Sequence, residues 1–367
     1  MRSVAALAIV MLGISCGGNT GHSPSPSASA GATAGPSALP SGPAVASYGL
    51  LLTAGTLEMI TPAGVIAAHA SVAAPSVHTC GQSTGAVLQP PVSASDTKVY
   101  YRDGNTAIKS LTPEGQTGSV TTVPGSATTV SFFSVSPDDQ RIAVLVEDLS
   151  PATAIKLALY VEDLTGHTNH SVIYTNTVPK FKPANTLWPM GWHQGLLVLA
   201  AFPPCTFEPA GLAPVEWHVS NAVTAVRVAK IGNPCIPSYW PSPAGVACIT
   251  GGAAQADIYD WTGKVIAHDV VSADSAFQSG LSPSGQSIFF SPGVSIGSPP
   301  PETSVSSPGP IVSVQGHSAC LWIDDQNLLA PDAVIALSRS AQGYLVSPKV
   351  TALPTSGQCA GRFPGGL

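Results

Sequence analysis

A few residues in this chain have the types and settings that chemistry needs. Asp138 and Asp139 are adjacent carboxylates in an exposed turn, the kind of group that general acid–base catalysis uses. Gly81-Gln82-Ser83-Thr84-Gly85 matches Gly-x-Ser-x-Gly, a pattern that presents a nucleophilic serine on a strand-to-helix elbow. Pro90 and Pro91 follow too soon for such a helix, and in a chain this rich in Gly and Ser the match carries no weight. His78, His317 and Asp274 are the remaining titratable candidates. Trp188, Tyr239, Trp240 and Phe277 are the aromatic candidates for stacking on a ligand. There is no His-Glu-x-x-His, no phosphate-binding glycine loop and no zinc-spaced cysteine pair, so no cofactor or metal is expected.

The elements that position these residues are β-hairpins. In Phe132 to Val146 an apolar run enters Ser136-Pro137-Asp138-Asp139-Gln140 and a β-branched run leaves it. Proline presets the φ of a tight turn, and the aspartates can bond its backbone. Leu281-Ser282-Pro283-Ser284-Gly285-Gln286-Ser287-Ile288 repeats the pattern in register. Val92 to Val99 is a third copy, and Ile323 to Leu328 is a fourth without the proline. Weaker copies lie at Trp192 to Gly195 and Ser242 to Gly245. A truncated first copy is expected before Gly49.

A second turn alternates with the first, as in Ile60-Thr61-Pro62-Ala63-Gly64 and Leu111-Thr112-Pro113-Glu114-Gly115. Gly64, Gly115 and Gly166 are 51 residues apart. Two hairpins per period make four short strands, the content of one propeller blade. The fold class is therefore all-β, a β-propeller of seven four-stranded blades between about Val45 and Ala352. Six is the alternative count, because Pro-rich Ser298 to Pro310 obscures the sixth unit. A β-sandwich, or a pair of them, would not explain two turn signatures in fixed order.

Phe133-Ser134-Val135-Ser136-Pro137-Asp138-Asp139-Gln140-Arg141-Ile142-Ala143 resembles the repeat of the TolB-type, WD40-like propellers, whose blades carry a Ser-Pro-Asp-Gly turn. Asp139 stands where that family favours Gly. The resemblance implies a fold and no particular activity. The WD40 repeat proper is not matched, since no Trp-Asp or Gly-His signature recurs.

Composition agrees. Only 9% of the 367 residues are charged, against about 25% in ordinary globular proteins. The apolar positions are short runs of Val, Ile, Ala and Tyr, without the Leu periodicity of helices. A formal charge of −6 offers no basic footprint for nucleic acid.

The first segment, 1–15, reads as a signal peptide, with Arg2 before an apolar core from Val4 to Leu12 that is too short to span a bilayer. Gly13-Ile14-Ser15-Cys16-Gly17 resembles a bacterial lipoprotein lipobox, which implies acylation of Cys16. The alternative is secretion with cleavage near Ala28-Ser29-Ala30. Residues 16–44 are rich in Ser, Pro, Ala and Gly, the composition of a disordered tether, and 45–367 is the propeller domain. The expected place is the bacterial cell surface or envelope, lipid-anchored outside the cytoplasm, with secretion as the alternative.

Six of the seven cysteines follow Cys16, namely Cys80, Cys205, Cys235, Cys248, Cys320 and Cys359. An even number in an exported chain points to disulfides. Loop placement predicts Cys205–Cys235, and Cys80–Cys359 across the ring closure, with Cys320 as the other available partner there. The alternative to disulfides is buried free thiols, for which Cys248, inside an apolar strand, is the best candidate. The Asp-bearing hairpins fall on the face opposite Cys205. The longest insertions, Ala201 to Pro214 and Ser291 to Thr303, fall on the Cys205 face, with Trp188, Tyr239, Trp240 and Phe277 near the starts of innermost strands. These aromatics line a ligand funnel or, more commonly, pack between blades. The predicted innermost strands, such as Thr129-Val130-Ser131, Leu187-Trp188-Pro189 and Ser238-Tyr239-Trp240, hold no carboxylate or histidine. The leading expectation is a non-enzymatic, surface-anchored propeller that binds a protein or carbohydrate of the envelope. A hydrolase or lyase on a propeller scaffold is the alternative, and a structural envelope component the third.

Overall fold

A computed structural model describes residues 46–78, 92–180, 184–204, 214–250, 255–271, 278–291, 302–307, 310–343 and 345–367. Within them the strands form seven four-stranded antiparallel sheets, arranged as the blades of a propeller. Six blades use consecutive strands. Blade 3 is representative, with Thr129–Val135 at the axis, then Arg141–Asp148, Ala154–Asp163 and Ser171–Pro179 at the rim.

Burial follows that order. Ile142, Ala143, Val144 and Leu145 are all buried in an unbroken run, because blades stack face to face and cover both sides of their middle strands. In the rim strand Ser171–Pro179 only Val178 is buried. A ring that exposes mainly its rim strands and turns has few positions for charge. This accounts for the charged fraction of 9%.

Blade 1 is composite. Its axial strand is Gln358–Phe363, which pairs with Tyr48–Thr53 near the other end of the domain. Tyr48 faces Phe363 and Leu52 faces Gln358, with a bulge between Leu50 and Leu51. The missing strand of the first unit therefore does not precede Gly49, and the repeat extends beyond Ala352. Blade 6 settles the count at seven. Its third strand, Glu302–Ser306, lies inside the Pro-rich stretch that obscured it.

Indole groups tie neighbouring blades. Trp192 Nε1 donates to the Ser134 carbonyl at 3.2 Å, from blade 4 to blade 3. Trp322 Nε1 donates to the Gly280 carbonyl at 2.8 Å, from blade 7 to blade 6. Trp217 and Trp261 meet edge-on at 5.7 Å in the core between blades 4 and 5.

The Ser-Pro turns tie the ring at its other level. Ser136 Oγ accepts the Arg141 amide at 2.9 Å, and the Ser136 carbonyl accepts the Asp139 amide at 3.0 Å. Ser282 Oγ accepts the Ser287 amide in the same way. Adjacent turns then join. The Asp96 amide donates to the Pro137 carbonyl at 3.0 Å, Ser242 Oγ to the Ser282 carbonyl at 2.7 Å, and the Ser284 amide to Asp325 Oδ1 at 2.8 Å. Asp139 accepts from Tyr100 Oη at 2.9 Å and from Thr97 Oγ1, both of blade 2. Its φ is 60°, matching 77° at Gly285 in the equivalent turn. The position requires the left-handed region, where glycine is cheapest and aspartate is tolerated.

The cysteine pairing differs from expectation. Cys235 bonds Cys248, not Cys205, with Cα atoms 5.4 Å apart. The Ser242–Gly245 hairpin folds Cys248 back beside Cys235 within blade 5, so Cys248 is not a free thiol. Cys359 bonds Cys320, not Cys80. Cys359 lies on the axial strand of blade 1 and Cys320 at the entry to blade 7, so this bridge reinforces the ring closure. Cys80 and Cys205 lie outside the described residues.

The turn chemistry predicts an order of stabilities. Asp139→Ala combines left-handed strain with loss of two bonds to blade 2, and is expected to cost about 2–4 kcal/mol. Asp139→Gly keeps the backbone relaxed and loses only the bonds, at about 1–2 kcal/mol. Urea denaturation checks this, and equal midpoints for the two variants would refute the backbone argument.

Candidate functional site

The axial strands surround a cavity of about 70 Å³. Its walls come from blades 1, 2, 4, 5, 6 and 7, with Leu50, Val92, Met190, Trp240, Leu281 and Trp322 as representative lining groups. Arg362 is the only ionisable side chain among the described lining residues. Burial pushes its guanidinium down to about 10, against the opposing pull of Asp325 and Asp96. It makes one long bond, Nη2 to the Gly366 carbonyl at 3.3 Å.

Gly365 and Leu367, from the segment 364–367, complete the wall. The Gly365 amide donates to the Ser95 carbonyl of blade 2 at 3.0 Å, and the Leu367 amide to the Trp192 carbonyl of blade 4 at 3.0 Å. His193 Nδ1 donates to the Leu367 carbonyl oxygen at 2.7 Å. The segment thus runs from blade 1 past blade 2 to blade 4, on the face of the Ser-Pro turns. Asp96 lies beside it. Burial and the nearby Asp139 raise its carboxyl, partly offset by the Gly366 amide.

The candidates taken from the sequence are dispersed. Trp240 lines the cavity. Tyr239 is half-buried beside it at 4.9 Å, with its phenol pushed up to about 12 by burial. Trp188 is buried, stacked on Phe132 at 4.4 Å and tilted against Phe202 at 4.9 Å, so it packs between blades 3 and 4. His78 is buried and bonds the Ser126 carbonyl at 2.8 Å, pinning a connecting loop to blade 3. His317 Nδ1 meets Asp332 at 3.1 Å, and its carbonyl accepts Thr303 Oγ1 at 2.7 Å. Neither histidine lines the cavity. Cys16, Asp274 and Phe277 lie outside the described residues, as does Gly81 to Gly85. Among the described residues no group of three or more His, Cys, Asp or Glu side chains gathers as a metal site.

Three groups were missed. Arg362 and the 364–367 segment are invisible until the ring closes, although a lone Arg among Cys359, Ala360 and Phe363 is a legible signal. Glu147 is the third. It sits on the second strand of blade 3 opposite Val130, fully buried, with both carboxylate oxygens unpartnered. Burial holds its carboxyl well above the usual range. The Trp188 indole N–H favours the charged form but makes no hydrogen bond of proper geometry.

No family model matches the chain, and no curated protein does. Solved structures match its shape. An oligogalacturonate lyase in complex with manganese aligns at 13% identity over 72% of this chain and 76% of that one, with a TM-score of 0.44. The mitotic checkpoint complex aligns at 12% identity over 74% and 79%, with a TM-score of 0.43. The putative TolB from Agrobacterium tumefaciens aligns at 14% identity over 62% and 82%, with a TM-score of 0.38. The blade topology itself defines the class: the described residues form a seven-bladed β-propeller.

Glu147 predicts a pH dependence. Below the ordinary carboxyl range it is protonated in both folded and unfolded chains and costs little. As pH rises, the unfolded chain ionises first, so Glu147 progressively lowers stability. Glu147→Leu is expected to raise the urea midpoint at pH 8 and to raise it less at pH 4. A difference independent of pH would contradict a raised carboxyl at this position.

Proposed function

We propose that this chain is a lipid-anchored, non-enzymatic propeller of the cell envelope whose axial cavity binds a partner there. The observation that carries the reading is the cavity lining: apolar and aromatic side chains with the Ser93 hydroxyl and one guanidinium, and no carboxylate or imidazole side chain among the described lining residues. Such walls bury a partner's apolar group and orient it by one charged donor, which is recognition chemistry. General acid–base work needs a pair of titratable groups tuned against each other, and the lining residues supply none.

Size favours protein over carbohydrate as the partner. A cavity of about 70 Å³ admits an aliphatic side chain or a few waters. Anchoring rests on the Leu12-to-Gly17 pattern, since acyl chains on Cys16 would hold the molecule at a membrane at about 0.8 kcal/mol per buried methylene.

The test uses one preparation. Full-length protein expressed in a bacterial host is expected in the membrane fraction, and Cys16→Ala in the soluble one. Detergent-extracted parent should be retained on beads of envelope protein. Trp240→Ala, checked for an unchanged melting profile, should be retained at least about tenfold less. Full retention of Trp240→Ala would remove the axial site from the account. Retention by purified envelope glycan alone would make the partner a carbohydrate.

A further inference from the structure

Residues 364–367 belong to no sheet, and their contacts have the form of a bound peptide. The hydrogen bonds that hold the segment engage its main chain. The Gly365 and Leu367 amides donate to Ser95 and Trp192 carbonyls. The Gly366 carbonyl accepts from Arg362, and the Leu367 carbonyl accepts from His193 Nδ1. Alternating donors and acceptors of this kind read any extended backbone.

Side-chain selection comes from the groove. Gly191 has no positive φ to explain it. A Cβ there would stand 2.5 Å from Leu367 Cδ1, so the missing side chain is the seat of the leucine. Gly366 is matched in the same way, since a Cβ on it would meet Asp96 Oδ1 at 2.9 Å, and a Cβ on Gly365 would run into the Ala94 backbone. Gly365, which the Ala94 backbone requires to be glycine, and Gly366, whose missing Cβ leaves room for the Asp96 carboxylate, are followed by one residue whose apolar side chain fills a notch. The occupant also underfills its site, because the cavity walled by Leu321, Trp322 and Trp240 remains beside it.

We propose that the axial end on the Ser-Pro-turn face is a peptide-reading groove, occupied in this chain by its own residues 364–367, and that it takes an extended Gly-Gly-Leu segment of a partner protein when that occupant is displaced. The inference rests on the protein-binding reading above and names the chemistry of the partner. Arg362 serves the groove as a main-chain donor. Its half-buried guanidinium retains further N–H groups for a second carbonyl of a longer ligand. The unfilled cavity next to the leucine seat accepts one more apolar side chain from such a ligand.

The probe is a fluorescently labelled acetyl-Pro-Gly-Gly-Leu peptide, titrated by anisotropy against full-length protein. In the parent the groove is filled and binding should be weak. Leu367→Asp places a carboxylate against Met190 and Gly191 and should expel the segment, strengthening peptide binding at least about tenfold. Gly365→Ala expels it sterically without adding charge, and should give the same gain if Leu367→Asp fails to fold. Adding Gly191→Ala to either variant fills the leucine seat and should abolish the gain.

Equal binding by parent and released variants would overturn the proposal, as would binding that survives Gly191→Ala. If the peptide fails to bind while Trp240-dependent retention on envelope protein persists, the groove is wrong and the broader reading stands. Peptide-dependent dimerisation, or dimers of the released variants, would show instead that a second copy's 364–367 is the occupant, which also overturns it.

Discussion

A propeller is stable only if its ring is closed, and here closure depends on one pairing between strands more than 300 residues apart. Gln358–Phe363 completes the sheet begun by Tyr48–Thr53 and takes the axial position in blade 1. Without it, blade 1 would present an open edge to the axis and blade 7 would lose a neighbour. The Cys320–Cys359 bridge lies on this same junction and ties blade 7 to the closing strand. The closing strand also delivers Arg362 and residues 364–367 to the axis. The constraint that shuts the ring therefore also builds the candidate site.

Much of the fold was legible because it is local. Ser136-Pro137-Asp138-Asp139 and Ser282-Pro283-Ser284-Gly285 are turns whose residue types set their own backbone, so each announces a hairpin. The fixed alternation with Thr-Pro-x-Gly turns announces four strands per period. Even the departure at Asp139 is explained by a φ of 60°, which aspartate tolerates, together with the bonds it gains to Tyr100 and Thr97. Of the aspartates that first looked catalytic, Asp139 holds adjacent blades together and Asp138 fixes its own turn through Ser136 and Gln140.

What was not legible depends on contacts between distant segments. Cys359 read as part of a loop because its strand partner lies at Leu51. Cys248 read as a core thiol because its strand is apolar, yet the Ser242–Gly245 turn already implied a partner across the hairpin. Glu147 gave no signal, since a glutamate between Val146 and Asp148 looks like a solvated strand end. Its full burial follows from blade 4 stacking over it, with Trp188 against Phe132 on the same interface. Trp188 and Trp240 look equivalent in sequence. One packs between blades and the other lines the cavity, which only the ring geometry decides.

The most direct test of the axial site is hydrogen–deuterium exchange on full-length protein with and without a detergent extract of envelope protein. Site occupancy by a partner should change exchange at 190–193, around Trp240 and at 359–367, with the rim strands such as Ser171–Pro179 unchanged. Changes confined to the rim strands, with the axial peptides unaltered, would contradict an axial binding site.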